Sequence, residues 1–271
     1  MMKGNRCLYV FLTALVITAG LRVFQLLSLT EYETGFILPE HYNKAVIITA
    51  FTALIILLSC VFSCACVKGG KKSNVFYLTS SVSAFFTGGM MILQPMGGFL
   101  GVPGFLKVLC TVFAVLSAVY FIAFALRSII HFPFSPYFAV IPAAFFVFKS
   151  ACSAITGAYH TVISDTVFQI TAYCFIMLYF LEFARAANGV TGKKSVKKFA
   201  AFGTAAALLS LCFSLPKILI SLVSPSSVHD MSLNEYLLFF SGLYIACEVF
   251  SRLAFVQKGD DAVSIYYIGK H

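Results

Sequence analysis

The chain alternates long apolar runs with short stretches that carry charge, proline or glycine. A hydrocarbon core of about 30 Å requires roughly 20 helical residues to cross it, and runs of that length recur along the whole sequence. The pattern therefore predicts an all-α fold, a polytopic bundle of about eight transmembrane helices in a single integral membrane domain. The predicted spans are 7–29, 45–67, 75–95, 105–127, 138–158, 163–184, 199–223 and 236–256.

The start of the last predicted span carries a helix-start signal. Ser232 is followed three residues later by Glu235, which is the spacing of a capping box. In that motif the serine side chain accepts a hydrogen bond from a first-turn N–H, and the glutamate turns back toward the serine. We therefore expect the eighth helix to begin next to Ser232.

The composition excludes a soluble globule. Hydrophobic residues make up 60% of the chain and charged residues 11%, whereas soluble domains carry about 25% charge. The lipid bilayer is therefore the first expected partner. The net charge of +9 does not indicate nucleic acid, because the basic residues are scattered over short loops and are not gathered on one face.

The basic residues outside the spans predict the orientation, because cytoplasmic loops retain lysine and arginine. An N-terminus in the cytoplasm places fourteen of them on the cytoplasmic side and leaves Lys44 and Lys107 outside. Both termini are therefore expected in the cytoplasm. An alternative treats the first span as a cleaved signal peptide, since Lys3 and Arg6 precede an apolar run. Seven spans would then remain.

One repeated segment suggests an internal duplication of 1–130 in 131–271. Gly-Lys-Lys-Ser at 70–73 follows the second span and recurs at 192–195 after the sixth. The fold would then contain two parallel four-helix halves, and parallel repeats are known in other membrane proteins. The alternative is chance, because the positive-inside rule gives many inner loops such basic tracts.

Three basic residues lie within apolar spans, where a charge costs about 2.5–3.5 kcal/mol on insertion scales. They are Arg22, Lys149 and Lys217, in the first, fifth and seventh spans. Such residues normally face the bundle interior, a watery cavity or a partner, so these three are a candidate site for an anion or another ligand. The alternative is that Arg22 and Lys217, near the span ends, extend to the lipid headgroups.

Two acids precede arginines at helical spacing. Glu182 lies three residues before Arg185, and Glu248 lies four residues before Arg252. These spacings place each acid and base on one helical face, where we expect them to form ion pairs. A proton-relay role for Glu248 is the alternative.

The sequence indicates no cofactor, metal site or catalytic centre. Nearly all of the nine cysteines fall inside apolar spans, where a thiol packs as a small hydrophobic group. The zinc-protease motif His-Glu-x-x-His and the nucleophile elbow Gly-x-Ser-x-Gly are both missing from the sequence. We therefore do not expect an enzyme.

Short motifs of the C-terminal half resemble a pattern in uncharacterised polytopic membrane proteins of anaerobic Gram-positive bacteria. The motifs are Phe145 to Ser150, Ile163-Ser164-Asp165, Phe180 to Gly189 and Ser214-Leu215-Pro216-Lys217. This chain departs from the pattern in carrying lysine where an arginine is more frequent. The resemblance implies a bacterial cytoplasmic membrane and no particular activity.

These observations leave two functional hypotheses. The first is an accessory or regulatory membrane component that binds a small molecule or a protein partner within the bundle. The alternative is a secondary transporter of a small anionic solute, with Arg22, Lys149 and Lys217 as the binding charges and Glu248 for coupling. The arrangement of the three cations distinguishes the two, because a transporter requires them to face one water-filled cavity, whereas an accessory protein is expected to have a dry core.

Overall fold

The structure, a computed structural model, describes residues 2–30, 37–66, 74–97, 104–130, 136–159, 163–187, 193–223 and 232–253. Eight α-helices account for most of these residues, and each lies within a few residues of a predicted span. The helices are α1 (Met2–Ser28), α2 (Tyr42–Cys66), α3 (Asn74–Gly97), α4 (Gly104–Ile130), α5 (Val140–Tyr159), α6 (Ile163–Ala187), α7 (Lys193–Val223) and α8 (Leu233–Leu253).

Six of the helices in the described part of the chain are long and apolar enough to cross a membrane, namely α1, α2, α4, α6, α7 and α8. The apolar part of α5 is shorter and covers Val140–Thr156. Helix α3 is interrupted by small polar residues, among them the buried Ser80, Ser83 and Thr87, which lower its hydropathy. The predicted multi-span helical fold is thus confirmed, whereas the count of eight spans stays a prediction.

Six helices form a closed ring in the order α3, α4, α5, α6, α7, α8, because each contacts the next and α8 contacts α3. Helices α1 and α2 pack against each other and against α7, outside this ring. Helices from 1–130 and 131–271 therefore share one bundle, as a single domain requires. The proposed duplication of these two parts stays a prediction.

Aromatic side chains fill the centre of the ring. Phe121 of α4, Phe180 of α6 and Tyr244 of α8 are fully buried, and their ring centroids lie 5.3–6.2 Å apart. Phe146 of α5 stacks on Phe180 at 6.3 Å. Aromatic pairs of this kind contribute about 0.5–1.5 kcal/mol each beyond the burial of their area. The contacts among Phe121, Phe180 and Tyr244 join helices that are not neighbours around the ring.

Helices α7 and α8 approach closely because small residues face each other. A Cβ atom added at Gly242 of α8 would lie 2.8 Å from Ser210 Cβ and 3.2 Å from Leu211 Cγ, both on α7. Small residues are favoured at such contacts in lipid, where close backbone approach and van der Waals packing replace the hydrophobic effect. This contact fixes the position of α8 next to α7.

Candidate functional site

Polar residues of six helices gather at one end of the bundle, which we call the site end. Helices α1, α3, α5 and α7 finish at this end, and α6 and α8 begin there. Asp165 lies in the first turn of α6, and Glu235 lies in the first turn of α8. Negative charge is stabilised at a helix N-terminus by the exposed N–H groups and the helix dipole, so both acids occupy favourable positions.

Four charged residues at the site end form an ion cluster. Asp165 accepts a hydrogen bond from Arg22 through one carboxylate oxygen, while its other oxygen lies 2.9 Å from Lys217 Nζ. Lys217 also donates to Glu235 Oε1 at 3.2 Å. The ion cluster of Arg22, Asp165, Lys217 and Glu235 therefore links α1, α6, α7 and α8 through charge-assisted hydrogen bonds.

Both cations of the ion cluster are withdrawn from the surface. The side chain of Arg22 is 4% exposed and that of Lys217 is 15% exposed. Their charged groups lie over aromatic rings, with Arg22 Cζ 5.3 Å from the centroid of Phe168 and Lys217 Nζ 4.4 Å from that of Phe213. Extension to the headgroups, the alternative drawn from the sequence, does not describe either residue.

Lys149 lies deeper and is held by an amide. Its Nζ donates to Gln94 Oε1 at 2.8 Å, and Gln94 Nε2 donates to the carbonyl oxygen of Leu233 at 3.2 Å. Lys149 is fully buried and Gln94 is as well. This lysine–amide pair joins α5 and α3 to the first turn of α8, two residues before Glu235. All three predicted cations thus lie toward the site end, and Arg22 and Lys217 share Asp165 as an ion-pair partner.

The predicted capping motif contributes to the same region. Ser232 Oγ accepts a hydrogen bond from the N–H of Asn234 at 3.3 Å, which identifies Ser232 as the N-cap of α8. The Ser232 hydroxyl also donates to Glu235 Oε2. The serine therefore orients the glutamate, whose other oxygen receives the hydrogen bond from Lys217.

Helix α1 presents a polar face to α7. Thr18, Arg22 and Gln25 follow one another at helical spacing and are all buried. Arg22 Nη1 donates to Gln25 Oε1 at 2.7 Å, which fixes the amide with its NH2 group pointing away. Within the described residues, Arg22 Nε and Gln25 Nε2 are buried donors without an acceptor. These orphan donors lie beside the ion cluster.

The two predicted ion pairs lie elsewhere in the bundle. Arg185 Nη1 donates to Glu182 Oε1 at 3.0 Å near the end of α6, opposite the site end, and the Arg185 side chain is 66% exposed. Glu248 is buried in α8, thirteen residues after Glu235 and thus about 20 Å along the helix. The side chain of its predicted partner, Arg252, lies outside the described residues.

Sequence reasoning did not assign Asp165 and Glu235 to the site. In the sequence, Asp165 stands out only as part of a short motif, and Glu235 only as a capping residue. Arg22 and Asp165 are 143 positions apart, so no local spacing relates them. The sequence did contain one indication. Asp165 and Glu235 lie near the starts of predicted spans that begin on the side of the membrane where the spans with Arg22, Lys149 and Lys217 end.

The described residues include no group of three or more His, Cys, Asp or Glu side chains close enough to hold a metal ion. The site end instead combines guanidinium, ammonium, amide and carboxylate groups. Groups of these kinds can form charge-assisted hydrogen bonds with a charged or polar ligand.

No protein-family model matches the chain, and neither a curated protein nor a solved structure is found to match it. The fold therefore defines its class: the chain is a multi-pass membrane protein whose helices enclose a charged site near one end of the bundle.

Proposed function

We propose that the protein is a non-catalytic membrane component that binds a small anionic ligand, a carboxylate or a phosphate, next to the ion cluster. The observation that carries the proposal is the pair of orphan donors, Arg22 Nε and Gln25 Nε2, which are buried beside charged groups. An unsatisfied buried donor costs about 1–3 kcal/mol, and more when the group is charged. An anionic oxygen that accepts from either donor removes the cost of leaving that donor unsatisfied.

The acids of the ion cluster reduce the positive charge that is left to attract an anion. Asp165 and Glu235 already neutralise much of the charge of Arg22 and Lys217, as the contacts of 2.9 Å and 3.2 Å to Lys217 indicate. Each cation therefore already has an acid partner, and the ligand forms additional hydrogen bonds next to the ion cluster. Such a site favours a small anion that accepts from the Nε–H of Arg22 or from the amide of Gln25.

Transport of a small anionic solute is the second candidate. It is supported by the convergence of Arg22 and Lys217 at one end of the bundle. Two observations weigh against it. The aromatic residues of the ring fill its centre, and Glu248, the predicted coupling residue, is about 20 Å along α8 from Glu235. Binding without transport is therefore the better-supported function.

The proposal is tested by ligand-dependent stability of the purified protein in detergent. The probes are inorganic phosphate, acetate and citrate, each compared with chloride at the same ionic strength. A ligand present at 100 times its Kd stabilises the folded state by about 2.7 kcal/mol. We expect at least one probe to raise the free energy of unfolding in a saturable manner.

Two variants locate the effect. Gln25→Glu keeps the shape of the side chain, retains an acceptor for Arg22 and repels an anion, so it should abolish stabilisation by the probe without unfolding the protein. Arg185→Gln removes an exposed arginine at the opposite end of α6 and should leave the stabilisation unchanged. Loss in both variants, or in neither, contradicts the assignment of the site. Uptake of labelled probe into proteoliposomes would instead favour transport.

A further inference from the structure

A pair of buried thiols lies between α4 and α5. Cys110 Sγ and Cys152 Sγ are 2.8 Å apart, and both residues are almost fully buried. An S–S bond measures about 2.05 Å, so a small movement of the two side chains brings the sulfur atoms to bonding distance. The sequence alone assigned these cysteines to packing, because both fall inside apolar spans.

Neighbouring contacts keep the two thiols facing each other. Phe113, one turn after Cys110, stacks on Phe148, one turn before Cys152, with ring centroids 5.0 Å apart and an interplanar angle of 29°. This contact fixes the register of α4 against α5. The facing thiols are therefore a property of the helix interface and not of one adaptable side chain.

A cation lies beside the pair. Lys149 is three residues before Cys152 on α5, and its ammonium group is close enough to interact electrostatically with both sulfur atoms. A nearby cation favours the thiolate, which is the form that reacts with oxidants and disulfides. Both thiols share this cation, and Cys152 is the one on the same helix as the lysine.

We infer that Cys110 and Cys152 are a redox-active dithiol, which hydrogen peroxide converts into a reversible disulfide between α4 and α5. The Cys152 thiolate attacks the peroxide O–O bond, which yields a sulfenic acid and releases water after protonation of the leaving oxygen. Cys110 then attacks the sulfenic sulfur, the S–S bond forms, and a second water leaves. The peroxide is reduced by two electrons and the two thiols are oxidised. Burial of the pair selects a small oxidant over a bulky one.

The experiment treats the purified wild-type protein with hydrogen peroxide, denatures it in SDS, and alkylates the remaining thiols. Of the nine cysteines in the chain, we expect seven to be alkylated after peroxide and nine after subsequent dithiothreitol. Peptide mapping should identify the bond between Cys110 and Cys152. This measurement needs no variant and therefore does not depend on the folding of a mutant.

Matched variants complete the test. Cys152→Ser should lose the cross-link, while Cys212→Ser, which removes another buried thiol, should retain it. Nine alkylated cysteines after peroxide would overturn the inference. So would a cross-link between other cysteines, or an irreversible sulfinic acid at Cys152. Because the anion experiment uses Gln25 and not these thiols, either proposal can fail alone.

Discussion

Replacing Asp165 with asparagine tests whether the ion cluster holds the helices together. The substitution keeps the size of the side chain but removes the negative charge shared by Arg22 and Lys217. Lys217 retains Glu235 at 3.2 Å, whereas Arg22 has no second carboxylate among the contacts described. The main effect of Asp165→Asn should therefore be an uncompensated guanidinium in the interior of the bundle.

The expected loss follows from the burial of the partners. Removing one member of a buried ion pair costs about 3–5 kcal/mol, because the remaining charge has been taken out of water. Asp165 is 21% exposed and asparagine still accepts one hydrogen bond, so the lower end applies. We expect the free energy of unfolding to fall by about 3 kcal/mol, which lowers the folded-to-unfolded ratio by roughly two powers of ten.

Unfolding by SDS in mixed micelles, followed by circular dichroism, measures this loss. Glu40→Gln is the matched control, because Glu40 is an exposed acid that precedes α2 at the same end of the bundle. Arg22→Gln in the Asp165→Asn background should cost less than in wild type, with a coupling energy of about 0.5–3 kcal/mol. If Asp165→Asn unfolds within about 0.5 kcal/mol of wild type, as the control should, the cluster does not stabilise the bundle.

Two further predictions use the same unfolding measurement. Gly242→Ala should destabilise the protein by about 1–3 kcal/mol, because the new Cβ would lie 2.8 Å from Ser210 Cβ. Gly20→Ala is the control and should not destabilise it, because no atom lies within 4 Å of the new Cβ. Equal effects of the two substitutions would contradict the packing described for α7 and α8. Gln94→Leu should cost about 1.5–3 kcal/mol, since Lys149 loses its amide acceptor, and the added change Lys149→Met should recover most of it. A double variant as unstable as Gln94→Leu alone would refute the role of the lysine–amide pair.

The sequence predicted the helices of the fold and the three basic residues of the candidate site. Apolar runs located all eight helices, because in a bilayer the backbone must satisfy its own hydrogen bonds. The cost of charge in lipid was enough to single out Arg22, Lys149 and Lys217 from the sequence alone. Each of these features depends on a short stretch of chain and on the properties of the solvent around it.

The acids and amides of the site, and the thiol contact, depend on how helices that are distant in the sequence pack together. Asp165 and Glu235 stand at helix starts, where acids are common for local reasons, so their presence carried no information about a partner. Gln25 and Gln94 are neutral and produce no charge signal. The thiol contact of Cys110 with Cys152 required the register of α4 against α5. Partners chosen by tertiary packing cannot be read from spacing along the chain.

The contact of α8 with α3, which closes the ring of six helices, has a consequence for biogenesis. Ribosomes deliver the chain from its N-terminus, so α3 to α7 reach the membrane before α8 has been synthesised. During that interval Gln94 Nε2 lacks the Leu233 carbonyl, and Lys217 lacks Glu235 but keeps Asp165 of α6. An unsatisfied polar group in hydrocarbon costs several kcal/mol. Helix α8 therefore completes the contacts of Gln94 and Lys217, and a translation product that stops before α8 lacks both of these contacts.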